Sequence, residues 1–270
     1  MATQSIGLHT EDTGGSGRAV ILIHGWPLSG KAWEHQVQAL AGAGFRVITY
    51  DRRGFGQSDK PESGFDYSTL ANDVADIIEA KALTDVSLVG FSMGGGEVAR
   101  YVAEHGESKL HSVVFAAAVP PYMMKTPDNP DGPLTKEKAD EMEAGIKADR
   151  TAFFDQFTKD FFSANGVLKV SEDERQKAIA LCHQSDQTAA LGCMASFGTT
   201  DFRDDLKAIT VPTLVIHGDA DGIVPVEGSG ARTHAAIPGS EMVVVLGAPH
   251  GFNVSHAEEF NRHLIAFLRK

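Results

Sequence analysis

Short runs of branched apolar residues recur along the chain, separated by polar or glycine-rich passages. The clearest are Ala19–Ile23 (AVILI), Phe45–Tyr50 (FRVITY), Ser87–Val89 (SLV), Ser112–Ala116 (SVVFA), Thr213–Ile216 (TLVI) and Met242–Leu246 (MVVVL). Runs that are apolar at nearly every position predict parallel strands covered on both faces. Between them the period lengthens. Leu70, Val74, Ile77 and Ile78 share one helical face, and Phe260, Leu264, Phe267 and Leu268 repeat that spacing. Alternating strands and helices predict an α/β fold built on a largely parallel, doubly wound sheet.

The alternation stops between about Pro120 and Leu206. A proline-rich opening, PDNPDGP, leads into helical sequence (KEKADEMEAGIKADR, then SEDERQKAIALCH) with no convincing strand. This predicts a helical insertion, residues 120–205, dividing a core made of residues 1–119 and 206–270. Such an insertion would lie over the C-terminal edge of the sheet, where α/β proteins place their ligand crevice. Its clustered Phe153, Phe154, Phe157, Phe161 and Phe162 read mostly as the insertion's own core. Phe157 and Phe161 are expected to reach into an apolar pocket.

Charge narrows the partners. With 24 Lys and Arg against 36 Asp and Glu the net charge is −12, which argues against nucleic acid or an anionic membrane as partner. The N-terminal MATQSIGLHTEDTGG is polar where a signal peptide needs an apolar stretch, and no apolar run approaches the roughly 20 residues of a membrane span. Two cysteines, Cys182 and Cys193, are too few for a disulfide scaffold and read as reduced thiols of a cytoplasmic protein. No metal-ligand spacing occurs among the eleven histidines, so neither a metal nor another cofactor is expected.

The chemistry starts at Gly90-Phe91-Ser92-Met93-Gly94, a G-x-S-x-G between the strand SLV and the helical GGEVARYVAEH. A tight strand-to-helix turn holds such a serine with its hydroxyl exposed, at a helix N-terminus that favours negative charge. A serine nucleophile needs a base, and the base an orienting acid. TLVI is followed by His217-Gly218-Asp219-Ala220-Asp221, and MVVVL by Gly247-Ala248-Pro249-His250. Ser92, an aspartate and His250 therefore each follow a predicted strand, in the chain order of α/β-hydrolases. Two acids compete for the orienting role. Asp219 suits the turn itself, and Asp221, further out, is the preferred partner of His250. His24 and His217 read as structural. An oxyanion hole needs two N–H donors; Met93 supplies one by position. The loop His24-Gly25-Trp26-Pro27-Leu28 supplies the other through Trp26, because Pro27 has no N–H.

HGWPLSGKAWEHQ, YDRRGFGQSDKP, GFSMGGGEVARY, HGDADGIVP and APHGFNVSHAEEFN together resemble the α/β-hydrolase family. More narrowly they resemble the bacterial aryl esterases also called cofactor-free (non-haem) haloperoxidases or perhydrolases. The resemblance implies an α/β-hydrolase fold with an eight-stranded sheet, a helical cap, and a Ser92–His250–Asp221 triad with Trp26 and Met93 as oxyanion donors. It places Ile223, Val224 and Val226 in the substrate pocket, alongside Pro27 and Leu28 of the oxyanion loop, and links Pro27 with perhydrolysis. It puts Arg52 and Arg53 in a structural loop. The implied activity is hydrolysis of small to medium aryl or alkyl esters, lactones included, with water or hydrogen peroxide as acyl acceptor. Relatives commonly form homo-oligomers. Lactone, γ-lactam or carbon–carbon bond hydrolysis, and a ligand-binding receptor on the same fold, remain as alternatives.

Overall fold

The five residues of AVILI are buried at every position, as a strand covered on both faces must be. The computed structural model describes residues 6–270; the first part of the polar N-terminal passage, residues 1–5, lies outside them. In chain order the strands are β1 (Thr10–Asp12), β2 (Ala19–Ile23), β3 (Arg46–Tyr50), β4 (Val86–Phe91), β5 (Leu110–Ala116), β6 (Ser163–Ala164), β7 (Val167–Leu168), β8 (Thr213–Gly218) and β9 (Glu241–Val245). Seven of them form one sheet in the order β1-β3-β2-β4-β5-β8-β9. All its neighbours run parallel except β1, which pairs antiparallel with β3.

The sheet thus has seven strands among the described residues, where the resemblance implies eight. Residues 7–9 run beside the loop that follows β3 and make single contacts there. Asp51 N–H donates to His9 O, Asp59 N–H to Gly7 O, and no ladder forms.

The helices are α1 (Glu34–Gly42), α2 (Tyr67–Ala80), α3 (Met93–His105), α4 (Lys136–Ala148), α5 (Arg150–Phe162), α6 (Glu172–His183), α7 (Gln187–Thr199), α8 (Gly230–Ala236), α9 (Phe252–Ser255) and α10 (Ala257–Leu268). Packing of α2 on α3 and of α1 on α10 buries both predicted apolar stripes: Leu70, Val74, Ile77 and Ile78 of α2, and Phe260, Leu264, Phe267 and Leu268 of α10. Asp66 caps α2 by accepting the Thr69 N–H, which satisfies one of the donors a helix start leaves free. Between β5 and β8 the chain carries α4–α7 and the small ribbon β6–β7, a pairing too short to leave a periodic signal. No helix among the described residues is long and apolar enough to cross a membrane.

Candidate active site

Ser92 stands between the last residue of β4 and the first of α3, with φ 54° and ψ −119°. A non-glycine residue at positive φ costs of order 1–3 kcal/mol and persists only where its surroundings hold it. Here three backbone bonds hold it. Ser92 N–H donates to Ala116 O (2.9 Å), and Ser92 O accepts from Gly95 and Val119 (3.1 Å each). The flanking glycines are required by close approach. A Cβ on Gly90 would fall 2.4 Å from Gly94 O, and one on Gly94 2.5 Å from Ile23 O.

Beyond β9, His250 turns back over this elbow. Its Nε2 lies 2.9 Å from Ser92 Oγ and its Nδ1 2.6 Å from Asp221 Oδ2. Nδ1–H therefore donates to the carboxylate, which leaves Nε2 to accept the serine hydroxyl. Asp221 reaches this point from the loop after β8. Its Oδ1 accepts the N–H groups of Ile223 (2.9 Å) and Val224 (2.8 Å). Burial alone would raise the Asp221 carboxyl; the charge of His250 and the hydrogen bonds of His217 and His250 outweigh it and hold the group well below the usual carboxylate range. Asp219 is exposed and accepts the Gly247 N–H at 2.6 Å, a turn contact that does not involve the imidazole. The His250 ring is set between Phe91 and Phe161, each with its centroid 5.1 Å away.

The loop after β2 completes the surroundings. A Cβ on Gly25 would come within 3.1 Å of Ser92 Cβ and 2.7 Å of a Phe91 ring carbon, so only glycine lets the loop lie this close to the serine. Trp26 follows, buried, its ring edge-on to Phe157 and Phe197 at 5.3 and 5.7 Å. Met93 opens α3 and is fully buried. Among the described residues, neither the Trp26 nor the Met93 backbone N–H donates to a protein acceptor. Arg52, wholly buried, ties this loop to α3. Its Nη2 donates to His24 O (2.6 Å), its backbone N–H to His24 Nε2 (2.9 Å), and its Nε to Glu97 Oε1 (2.6 Å).

A cavity of about 470 Å³ opens onto Ser92 and His250. Of the expected pocket residues, Phe157, Ile223 and Val224 line it and four do not. Phe161 sits one helical turn further along α5 and packs on His250 instead. Leu28, whose N–H turns back to Gly25 O, is buried beside a separate small groove, together with Phe161. Pro27 is buried, and the neighbouring Trp26 indole forms the wall; Val226 begins a short 3-10 turn, and Pro225 lines the cavity before it. The walls that sequence reasoning missed include Val119, Met123, Leu134, Met142, Phe153 and Phe197. Only Phe153 had a signal, its spacing of four from Phe157. Polar groups are confined to Lys138, Glu141, Gln156 and Asp160 of α4 and α5, besides Ser92 and His250. Among the described residues no group of three or more His, Cys, Asp or Glu is placed to hold a metal ion.

Comparison with known proteins agrees with this architecture. A family profile described as the alpha/beta hydrolase fold matches residues 18–257. The chain is 41% identical to a non-heme chloroperoxidase of Kitasatospora aureofaciens, over 95% of this chain and 94% of the relative. It is 36% identical to a bifunctional esterase/perhydrolase of Acinetobacter calcoaceticus, over 93% and 91%. Its structure superposes on that of a bromoperoxidase from Bacillus anthracis with a TM-score of 0.96 and 48% identity, covering 98% of this chain and 96% of the other. The serine elbow at the end of β4, the parallel sheet and these matches place the chain in the alpha/beta hydrolase family.

Proposed function

We propose that this protein is a serine hydrolase of small to medium, uncharged carboxylic esters, with water or hydrogen peroxide as acyl acceptor. One observation carries the reading: a serine hydroxyl, an imidazole and a buried carboxylate in continuous contact at 2.9 and 2.6 Å, at the floor of a mainly apolar cavity. Ser92 Oγ attacks the ester carbonyl as His250 Nε2 takes its proton. Asp221 fixes the Nδ1–H tautomer and stabilises the imidazolium. The Trp26 and Met93 N–H groups receive the developing oxyanion, each such donor typically worth about 3–4 kcal/mol. His250 then protonates the leaving alcohol, and an acyl-Ser92 ester remains.

Water attacks that ester with His250 again as base, releasing a carboxylic acid and the free serine. When hydrogen peroxide attacks instead, one peroxide oxygen bonds to the acyl carbon and its proton passes to His250; the acyl–Oγ bond breaks, His250 returns the proton to Ser92, and a peracid leaves. The peracid oxidises halide in solution, which accounts for haloperoxidase chemistry without a bound cofactor. Relatives named as non-heme chloroperoxidase and as esterase/perhydrolase support both acceptors. We further read residues 120–205 as a cap over a core of residues 1–119 and 206–270, since α5 and α7 furnish Phe153, Phe157 and Phe197 to the cavity. Two buried, unpaired cysteines suit a reducing compartment such as the cytoplasm.

The test is turnover of p-nitrophenyl acetate, with and without hydrogen peroxide, by the wild type and Ser92→Ala. Repeated turnover that drops at least about a thousandfold in the variant, with peracid formed only when peroxide is present, is the expected result. Slow labelling that stops after one turnover would instead make the protein a ligand-binding receptor on this fold.

A further inference from the structure

We propose that His217 is a positioning residue for the triad, holding the Asp221 carboxylate in place while the charge of His250 changes. The inference rests on the esterase reading above and concerns the same site. His217 is the next-to-last residue of β8 and is completely buried. Its Nε2–H donates to Val224 O at 2.8 Å and also faces Asp221 Oδ2 at 3.2 Å. Its Nδ1 is buried without a hydrogen-bond partner, and a Cβ on Gly230 would come within 2.5 Å of it. The first residue of α8 therefore closes over that side of the ring, and the proton belongs on Nε2.

The consequence lies in the count of donors around Asp221. Oδ1 meets two backbone N–H groups, from Ile223 and Val224, whose protons the proposed reaction does not transfer. Oδ2 meets His250 Nδ1 and His217 Nε2. His250 gains and loses a proton and its contact with Ser92 in every cycle. His217 is the fixed partner of that second oxygen. By bonding Val224 O as well, it links the acid to a residue of the cavity wall.

The experiment compares wild type with His217→Leu and His217→Asn, which remove the Nε2 donor, and His217→Gln, whose amide restores an N–H at similar reach. Two quantities are read: kcat and KM for p-nitrophenyl acetate, and the low-field proton resonance of His250 Nδ1–H. Loss of an orienting partner of a reactive group typically costs tenfold or more, so kcat is expected to fall about tenfold in the Leu and Asn variants, with KM within about twofold. The resonance is expected to move in both, and His217→Gln to recover most of kcat and of the resonance position. The proposal is overturned if Leu and Asn variants keep kcat and an unmoved resonance, or if folded His217→Gln is as impaired as His217→Leu. A wild type with no ester turnover would end the esterase reading, whereas the resonances still decide the role of His217.

Discussion

The indole N–H of Trp26 donates to the carbonyl of Ala190 on α7 at 2.9 Å. Trp26, whose backbone N–H is proposed above as an oxyanion donor, is thus anchored through its side chain to the helices between β5 and β8. Trp26→Phe keeps a ring among Phe153, Phe157 and Phe197 but removes the indole donor to the Ala190 carbonyl, which retains its place in the α7 helix ladder. A lost neutral hydrogen bond is worth about 0.5–1.5 kcal/mol, so kcat/KM should fall about twofold to tenfold with the fold intact. Trp26→Ala also empties a core site and should lower stability by about 3–5 kcal/mol, read from denaturant unfolding.

The two neighbouring aspartates should separate cleanly. Asp221→Asn removes the charge facing His250 Nδ1 and is expected to lower kcat about ten-thousandfold. Asp219→Asn weakens one exposed contact to Gly247 and should leave kcat within about threefold, with a stability change below about 1 kcal/mol. Steady-state kinetics on both variants check this, and a reversed order would reassign the acid.

Glu97 and Arg52 are both fully buried, and Glu97 also receives the Tyr50 hydroxyl. Glu97→Gln leaves the guanidinium in the interior without its counter-charge. Breaking a buried pair in this way costs about 3–5 kcal/mol, which for a chain of this size lowers Tm by roughly 6–20 °C. Calorimetry provides the measurement. A Tm within two degrees of wild type would contradict the role assigned to the pair.

The triad candidates are legible in the sequence because each follows within five residues a run that is apolar at nearly every position. β4, β8 and β9 carry Ser92, Asp221 and His250 at or beyond their C-terminal ends. What local pattern does not encode is contact between distant segments. Arg52 and Glu97 are 45 residues apart, and Trp26 and Ala190 are 164 apart. The polar edge strand β1 leaves no apolar run because its side chains face solvent. Phe157 and Phe161 share one helical face, so spacing cannot say that the first reaches the cavity and the second backs His250. His217 looks structural for the same reason: only the return of the loop brings Asp221 under its ring.

The cysteines give a pH-dependent signature. Burial pushes the Cys193 thiol up to about 12 and raises Cys182 also, so neither ionises in the folded protein near neutrality. A thiol reagent at pH 8 should label neither in the native state and both in guanidinium chloride. The sign for stability follows. Below the ordinary thiol value of about 8.5 both states hold the proton; as pH rises from there towards 12 only the unfolded chain loses it, so this contribution to stability declines.

The most direct test of the account is to catch the acyl group. Asp221→Asn mixed with p-nitrophenyl acetate, quenched in acid within the first turnover and digested, should yield an acetylated peptide carrying Ser92, and Ser92→Ala treated alike should yield none. An acetyl group found on another residue, or undiminished ester turnover by Ser92→Ala, would contradict it.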